Sequence, residues 1–168
     1  MKTLVIYESM YGNTRQIAEA IADTIEDACA VPVRAVDDGE LSRAARVVVG
    51  GPTHAFGMSR PSTRTQAEVI AGKQTELTLE PGATGDGIRE LLTRTDLTGK
   101  EVAAFDTRAT RFGLPHAARR INALANRAGG TPVVRPGSFL VTRKNVLRPG
   151  ELGRARAWAR QLTSVPSR

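Results

Sequence analysis

Cysteine is almost missing from this 168-residue sequence: Cys29 stands alone, which excludes an internal disulfide and argues against a thiolate metal cluster. His54 and His116 are the only histidines, too few for a histidine-based metal site. Aromatic residues make up 4% of the chain, so few rings are on hand to stack against a flat ligand. No apolar run approaches the roughly 18 residues of a membrane span. Met1-Lys2 leads straight into a β-branched run rather than a signal-peptide core, so a cytoplasmic location is the expectation. The sequence also lacks a Walker motif, a nucleophile elbow, an internal repeat, a low-complexity tract and a linker. Apolar and charged contents of 40% and 24% are ordinary for a soluble globular chain, and a single domain over 1–168 is expected.

What is present is unevenly distributed. The net charge is +7, yet residues 1–103 carry 11 basic and 15 acidic side chains. From Ala104 onward 13 basic side chains face only Asp106 and Glu151. This asymmetry fits a basic face and an acidic partner, whether protein, nucleic acid or a phosphorylated cofactor. Arginine far outnumbers lysine throughout, which a GC-rich coding sequence produces with no binding role. No basic stretch is interleaved with aromatics, so nucleic acid is not the expected partner.

The chain is organised around its beginning. Thr3 to Tyr7 is a short β-branched run, as in a buried strand. Glu8 to Thr14 turns, and Ile17, Ala18, Ile21, Ile25 and Ala28 then recur at helical spacing. A buried strand that turns into a helix through Ser, Gly, Asn and Thr leaves several backbone N–H groups unpaired at the helix start, beside the positive end of its dipole. That is a ready anion site. An ordinary turn capped by Asn13 or Thr14 would read the same way.

Further along, Val31 to Val36 alternates like a second strand, and Pro32 places it at a sheet edge. Arg46 to Gly51 is apolar on both faces and free of proline, so it belongs at the sheet centre. Gly51 to Gly57 shows no periodicity and reads as a loop. A weak helix follows over Pro61 to Ala71, then an interrupted stretch over Lys73 to Gly85, and Asp86 could cap a segment carrying Ile88, Leu91 and Leu92. Val102 to Phe105 is the fourth strand. Pro115 suits the first position of a helix that Gly129-Gly130 ends. Thr131 to Val134 and Ser138 to Val141 form one edge strand broken at Pro136-Gly137, and Leu152, Ala155, Ala159 and Leu162 mark the last helix. Strands alternating with helices give a parallel sheet covered on both faces.

Val5-Ile6-Tyr7, Ser9, Gly12, Thr14, Ala18 and Ile21 resemble the phosphate-loop signature of the flavodoxin family. The resemblance implies a three-layer α/β fold with a five-stranded parallel sheet in the order 2-1-3-4-5. Ligands of such sheets bind outside the strand carboxyl ends, where the winding reverses. The resemblance further implies FMN as cofactor, with Ser9, Met10, Tyr11, Gly12, Asn13 and Thr14 around its phosphate. Gly51 to Gly57 resembles the family's second loop, so Pro52, Thr53, His54, Ala55, Phe56 and Gly57 would meet the ring, Gly57 as the peptide that can rotate. Asp106, Thr107, Arg108 and Phe112 map onto a third loop. The family usually places a tyrosine there; here Tyr7 and Tyr11 both lie near the start, and Phe112 or the flat Arg108 guanidinium would stand in, unless Asp106 and Arg108 merely pair across the loop.

The expected function is FMN-linked electron transfer or a small flavin-dependent oxidoreductase, with a redox protein or an NAD(P)H- or quinone-type molecule as partner. Arg15 and the basic later half imply a less negative potential than that of acidic flavodoxins. A flavin-free binding module acting through the basic half is the alternative. An enzyme using a deazaflavin or a dinucleotide, with Lys73 to Gly85 as a lid, would also fit the fold.

Overall fold

The computed structural model describes residues 2–54, 57–109 and 116–164. At its centre lie β1 (Thr3–Tyr7), β3 (Arg46–His54) and β5 (Glu101–Arg108), flanked by β2 (Ala28–Pro32) on one side and by β6 (Thr131–Pro132) and β7 (Gly137–Leu140) on the other. The order is β2-β1-β3-β5-β6, all parallel, and β7 continues the β6 edge by pairing with Phe105 to Arg108. With β6 and β7 counted as one interrupted strand, this is the order expected from the sequence; the break runs over 133–136, so Gly137, expected in the break, opens β7.

The seventh strand of the sheet is β4 (Gly57–Met58), which folds back antiparallel on Thr53 and His54. The expected loop over Gly51 to Gly57 is therefore partly a hairpin, with β3 reaching His54. Gly57 at φ +132° takes a conformation that L side chains rarely adopt.

Alternate residues of β1 explain the layers. Leu4 and Ile6 point to one face, where α2 (Asp38–Arg43), α4 (Ile88–Arg94) and α5 (Ala117–Arg127) contribute Leu41, Ile88, Leu91 and Ile121. Val5 and Tyr7 point to the other, under α1 (Asn13–Ala22) and α6 (Glu151–Thr163), which contribute Ile17, Ile21, Ala155 and Leu162. The scarce aromatics gather there: Phe105, Phe139 and Trp158 pack with ring centroids 6.3–6.4 Å apart. Phe105 lies over Gly50, where a Cβ would come within 2.0 Å of the ring.

The structure moves some expected boundaries. The first helix ends at Ala22, and Ala28, read as the end of its stripe, belongs with Cys29 to β2. The expected strand over Val31 to Val36 is displaced toward the N-terminus, because Val33 to Ala35 forms a 3₁₀ turn after Pro32. The weak helix is α3 (Pro61–Lys73), which buries only Arg64 and Ala67. Thr142 to Gly150, left unread from the sequence, forms a tight turn in which Val141 bridges Leu147 and Asn145 takes φ +55°. No helix among the described residues is long and apolar enough to cross a membrane.

Candidate functional site

A cavity of about 300 Å³ opens at the carboxyl ends of β1, β3 and β5, at the low end of the range for small-molecule sites. The first loop supplies Ser9, Met10, Tyr11, Asn13 and Thr14. The end of β3 supplies Pro52, Thr53 and His54, and the end of β5 supplies Thr107, Arg108 and Ala109. All three expected loops thus converge. The remaining wall comes from Thr63, Gln66, Ala67 and Ile70 of α3, with Val141 and Asn145 beside them. Sequence reasoning missed these: the poor amphipathicity of α3 was its one signal, since a helix that buries little of itself has surface left for something else.

The first loop leaves hydrogen-bond donors free at the start of a helix. Gly12, at φ +86°, precedes the first turn of α1 and offers no side-chain cap, so the dipole and the leading N–H groups of that helix are not neutralised by the chain itself. Its own N–H donates to Ser9 Oγ (3.0 Å), which closes the loop. Gly12 is not part of the cavity wall; it shapes the turn behind it. The hydroxyls of Thr14 and Thr107 are hydrogen-bonded at 2.8 Å, which joins the first loop to the third. Asn13 Nδ2 donates to the Asn145 carbonyl (2.7 Å), so its amide braces the 141–148 turn. Tyr11 donates its hydroxyl to the Ala67 carbonyl (2.8 Å) and fastens α3 to the loop. Burial pushes the Tyr11 phenol above its ordinary value.

Lys73 to Gly85 does not cover the cavity. It passes behind the first loop, where Glu80 N–H donates to the Met10 carbonyl (2.7 Å) and the Glu80 carboxylate accepts from Arg15 (2.9 Å).

Asp106 also differs from its expected place. It is fully buried and does not line the cavity. One carboxylate oxygen accepts from Thr53 (3.0 Å) and from the Ala118 N–H (3.0 Å), the other from Ser138 (2.5 Å). Those partners lie on β3, α5 and β7, so Asp106 knots three elements together and caps α5. The alternative of an Asp106–Arg108 bridge is not what forms. Arg108 reaches the cavity wall instead, and its Nε is a buried donor without an acceptor.

His54 lies in the wall, with its pKa lowered mainly by burial and further by the Arg64 guanidinium, against a smaller opposing hydrogen bond that the ring donates to the Thr63 backbone. Arg64 is itself buried, donating to Ser59 (3.1 Å) and pairing with Glu90 (3.3 Å). His54 is therefore neutral at pH 7. Gly57 pairs with His54 in the hairpin but stays outside the cavity wall. Ala55, Phe56 and Phe112 lie outside the described residues.

The residues present fit FMN. Hydroxyls and an uncapped helix N-terminus suit the phosphate, a half-apolar slot between α3 and the β3 hairpin suits the ring, and the orphaned Arg108 Nε awaits an acceptor. No carboxylate is among the lining side chains. No metal-holding group of His, Cys, Asp or Glu occurs among the described residues.

Residues 4–73 match the family model described as a flavodoxin domain. No curated protein matches the sequence. Among solved structures, flavodoxin 2 from Bacillus cereus superposes with a TM-score of 0.68 at 20% identity, covering 97% of this chain and 98% of that one. A flavodoxin from the domain Archaea gives 0.64 at 21% identity, covering 95% and 94%. A flavodoxin, WrbA-like protein from Agrobacterium tumefaciens gives 0.58 at 22%, covering 94% and 92%. Residues 4–73 thus resemble a flavodoxin domain in sequence, and the chain as a whole shares the fold of flavodoxins.

Proposed function

We propose that this chain holds FMN in the cavity formed by Ser9 to Thr14, Pro52 to His54 and Thr107 to Ala109, and that it exchanges electrons there with a redox partner. The observation that carries the reading is the convergence of these three loops on one cavity beside the uncapped start of α1. Bound FMN would supply reversible one- and two-electron transfer. The protein's part is binding, orientation and electrostatics. Ser9, Thr14 and the first amides of α1 hold the phosphate, and the Thr14–Thr107 hydrogen bond keeps that end of the site closed. Thr53, fixed by Asp106 on one side and the Ala117 N–H (3.0 Å) on the other, aims the second loop at the ring. Neutral His54 adds a polar edge without a charge.

Charge at the site sets the potential. Reduction adds negative charge to the flavin; Arg108 stabilises it, and no lining carboxylate opposes it. A potential less negative than that of an acidic flavodoxin follows, which suits a quinone- or NAD(P)H-linked role better than low-potential shuttling.

The test is direct. The purified protein, or the apoprotein titrated with FMN by calorimetry, should bind one FMN. Thr14→Val should weaken that binding about tenfold or more, in line with the loss of one charge-assisted hydrogen bond. An absence of FMN binding at high micromolar concentration, in a protein that is otherwise folded, overturns the reading and favours a flavin-free binding module.

A further inference from the structure

The turn that contributes Val141 and Asn145 to the cavity wall also carries three cationic side chains. Between Leu140 and Gly150 the chain leaves the sheet edge and returns: Val141 bridges Leu147, Thr142 N–H donates to the Val146 carbonyl (2.7 Å), and Arg148 N–H donates to the Leu140 carbonyl (2.9 Å). The Thr142 hydroxyl accepts from the Lys144 and Val146 N–H groups (both 3.3 Å). The turn is thus internally braced, and the Asn13–Asn145 hydrogen bond ties it to the start of α1. Arg143, Lys144 and Arg148 are exposed on it. No ion pair forms on any of the three among the described residues. Val146, 59% exposed, is the most exposed large apolar side chain of the described residues and sits among them.

Nearby acids do not offset this charge. Glu8 and Asp106 are buried, Glu80 is engaged by Arg15, and Glu151 by Arg154 (2.6 Å). Another wall of the mouth, α3, exposes Val69 (50%) and Ile70 (37%) with Glu68 as its acid. An exposed apolar side chain ringed by unpaired cations, on a braced turn beside a redox cavity, is complementary to a surface with acidic side chains around an apolar centre. A stiff turn also loses little conformational freedom on docking.

We propose that the 141–148 turn is the docking element for an acidic electron-carrier protein, which meets the cavity mouth through Arg143, Lys144 and Arg148 around Val146. The proposal rests on the electron-transfer reading above for its purpose, but the docking charge can be measured without flavin. During transfer, one electron leaves the reduced flavin and converts the carrier's oxidised centre, for a haem Fe(III) to Fe(II); no atom is exchanged.

Two probes with one haem separate the effects: native cytochrome c, which is basic, and succinylated cytochrome c, which is acidic. Calorimetry at low ionic strength should show binding of the succinylated form and none of the native form. With dithionite-reduced holoprotein, the rate constant for reducing the succinylated form should fall as salt rises, and that for the native form should rise. The variant R143E/K144E/R148E should reverse both salt slopes and weaken binding of the succinylated form about tenfold or more. R43E/R127E/R160E, which changes the net charge equally at the last turns of α2, α5 and α6, should change either by about threefold or less.

Equal losses in the two triple variants would show that the attraction is diffuse and would overturn the proposal, as would tighter binding of native cytochrome c. A protein that takes up no FMN but binds succinylated cytochrome c through the turn refutes the flavin reading and leaves the docking surface standing. FMN uptake without a difference between the cytochromes does the reverse.

Discussion

Removing the Asp106 carboxylate should cost both stability and cofactor affinity. The group is fully buried and accepts three hydrogen bonds, from Thr53, Ser138 and the Ala118 N–H. A hydrogen bond to a charged group contributes about 1.5–3 kcal/mol, and a buried donor left without an acceptor costs about 1–3 kcal/mol. The carboxylate also faces the start of α5, which adds about 0.5–2 kcal/mol. Against this, Asp106→Ala relieves the desolvation of a buried charge, several kcal/mol in its own right. The two hydroxyls can also rotate toward other acceptors, whereas the Ala118 amide cannot. The net expectation is a loss of about 3–4 kcal/mol for Asp106→Ala and about 1.5–2 kcal/mol for Asp106→Asn, which keeps one acceptor oxygen. Equilibrium urea unfolding with an unchanged slope would measure it. Because Asp106 holds Thr53 in the cavity wall, Asp106→Ala should also weaken FMN binding, whereas Ser138→Ala should lower stability and leave FMN binding alone. If Asp106→Ala costs less than about 1 kcal/mol, the knot of β3, α5 and β7 is not what the geometry indicates.

Other expectations concern single positions. Gly50→Ala would drive a Cβ into the Phe105 ring at 2.0 Å and should cost about 3 kcal/mol or more by chemical denaturation, with Phe105→Leu restoring part of it. His54 and His116 both have pKa values lowered chiefly by burial, so the unfolded chain binds protons first as pH falls. Their contribution to stability is present above pH about 6.5 and declines below it, a slope that denaturation curves between pH 5 and 7.5 would show. Arg64→Met removes the nearby positive charge and should raise the His54 pKa, read from its ring-proton NMR titration. Arg108→Gln should make the flavin potential more negative, by about 1 kcal/mol or roughly 40 mV for one charge at this depth, in a potentiometric titration.

Much of the fold could be read along the chain, because it is written in short-range periodicity. The β-branched runs Thr3–Tyr7 and Arg46–Gly51, buried on both faces, indicated central parallel strands, and Pro32 and Pro136 marked the edges where a missing N–H does no harm. Errors came where two periods meet. Ile25 and Ala28 continue the helical spacing of α1, but the chain turns at Asp27 (φ +57°) because β2 must pair with β1, a requirement no local pattern contains. The β3–β4 hairpin escaped notice since its partners Thr53 and Met58 carry no alternation.

For the site, residue types and order determined which loops would hold chemistry: Ser9 to Thr14 and Pro52 to His54 can be picked out from Ser, Thr, Gly and Pro after apolar strands. Tertiary structure alone decided what each side chain does there. Asp106 and Arg108 stand two apart on β5, so their side chains leave the strand on the same side, yet one is locked inside by Thr53, Ser138 and Ala118 while the other reaches the cavity. The cavity's last walls, α3 and the 141–148 turn, lie dozens of residues from the first loop and are held to it by Tyr11 and Asn13. Composition and spacing act over a few residues. Which distant groups share a hydrogen bond, and which charge is left without a partner, depends on how the layers pack.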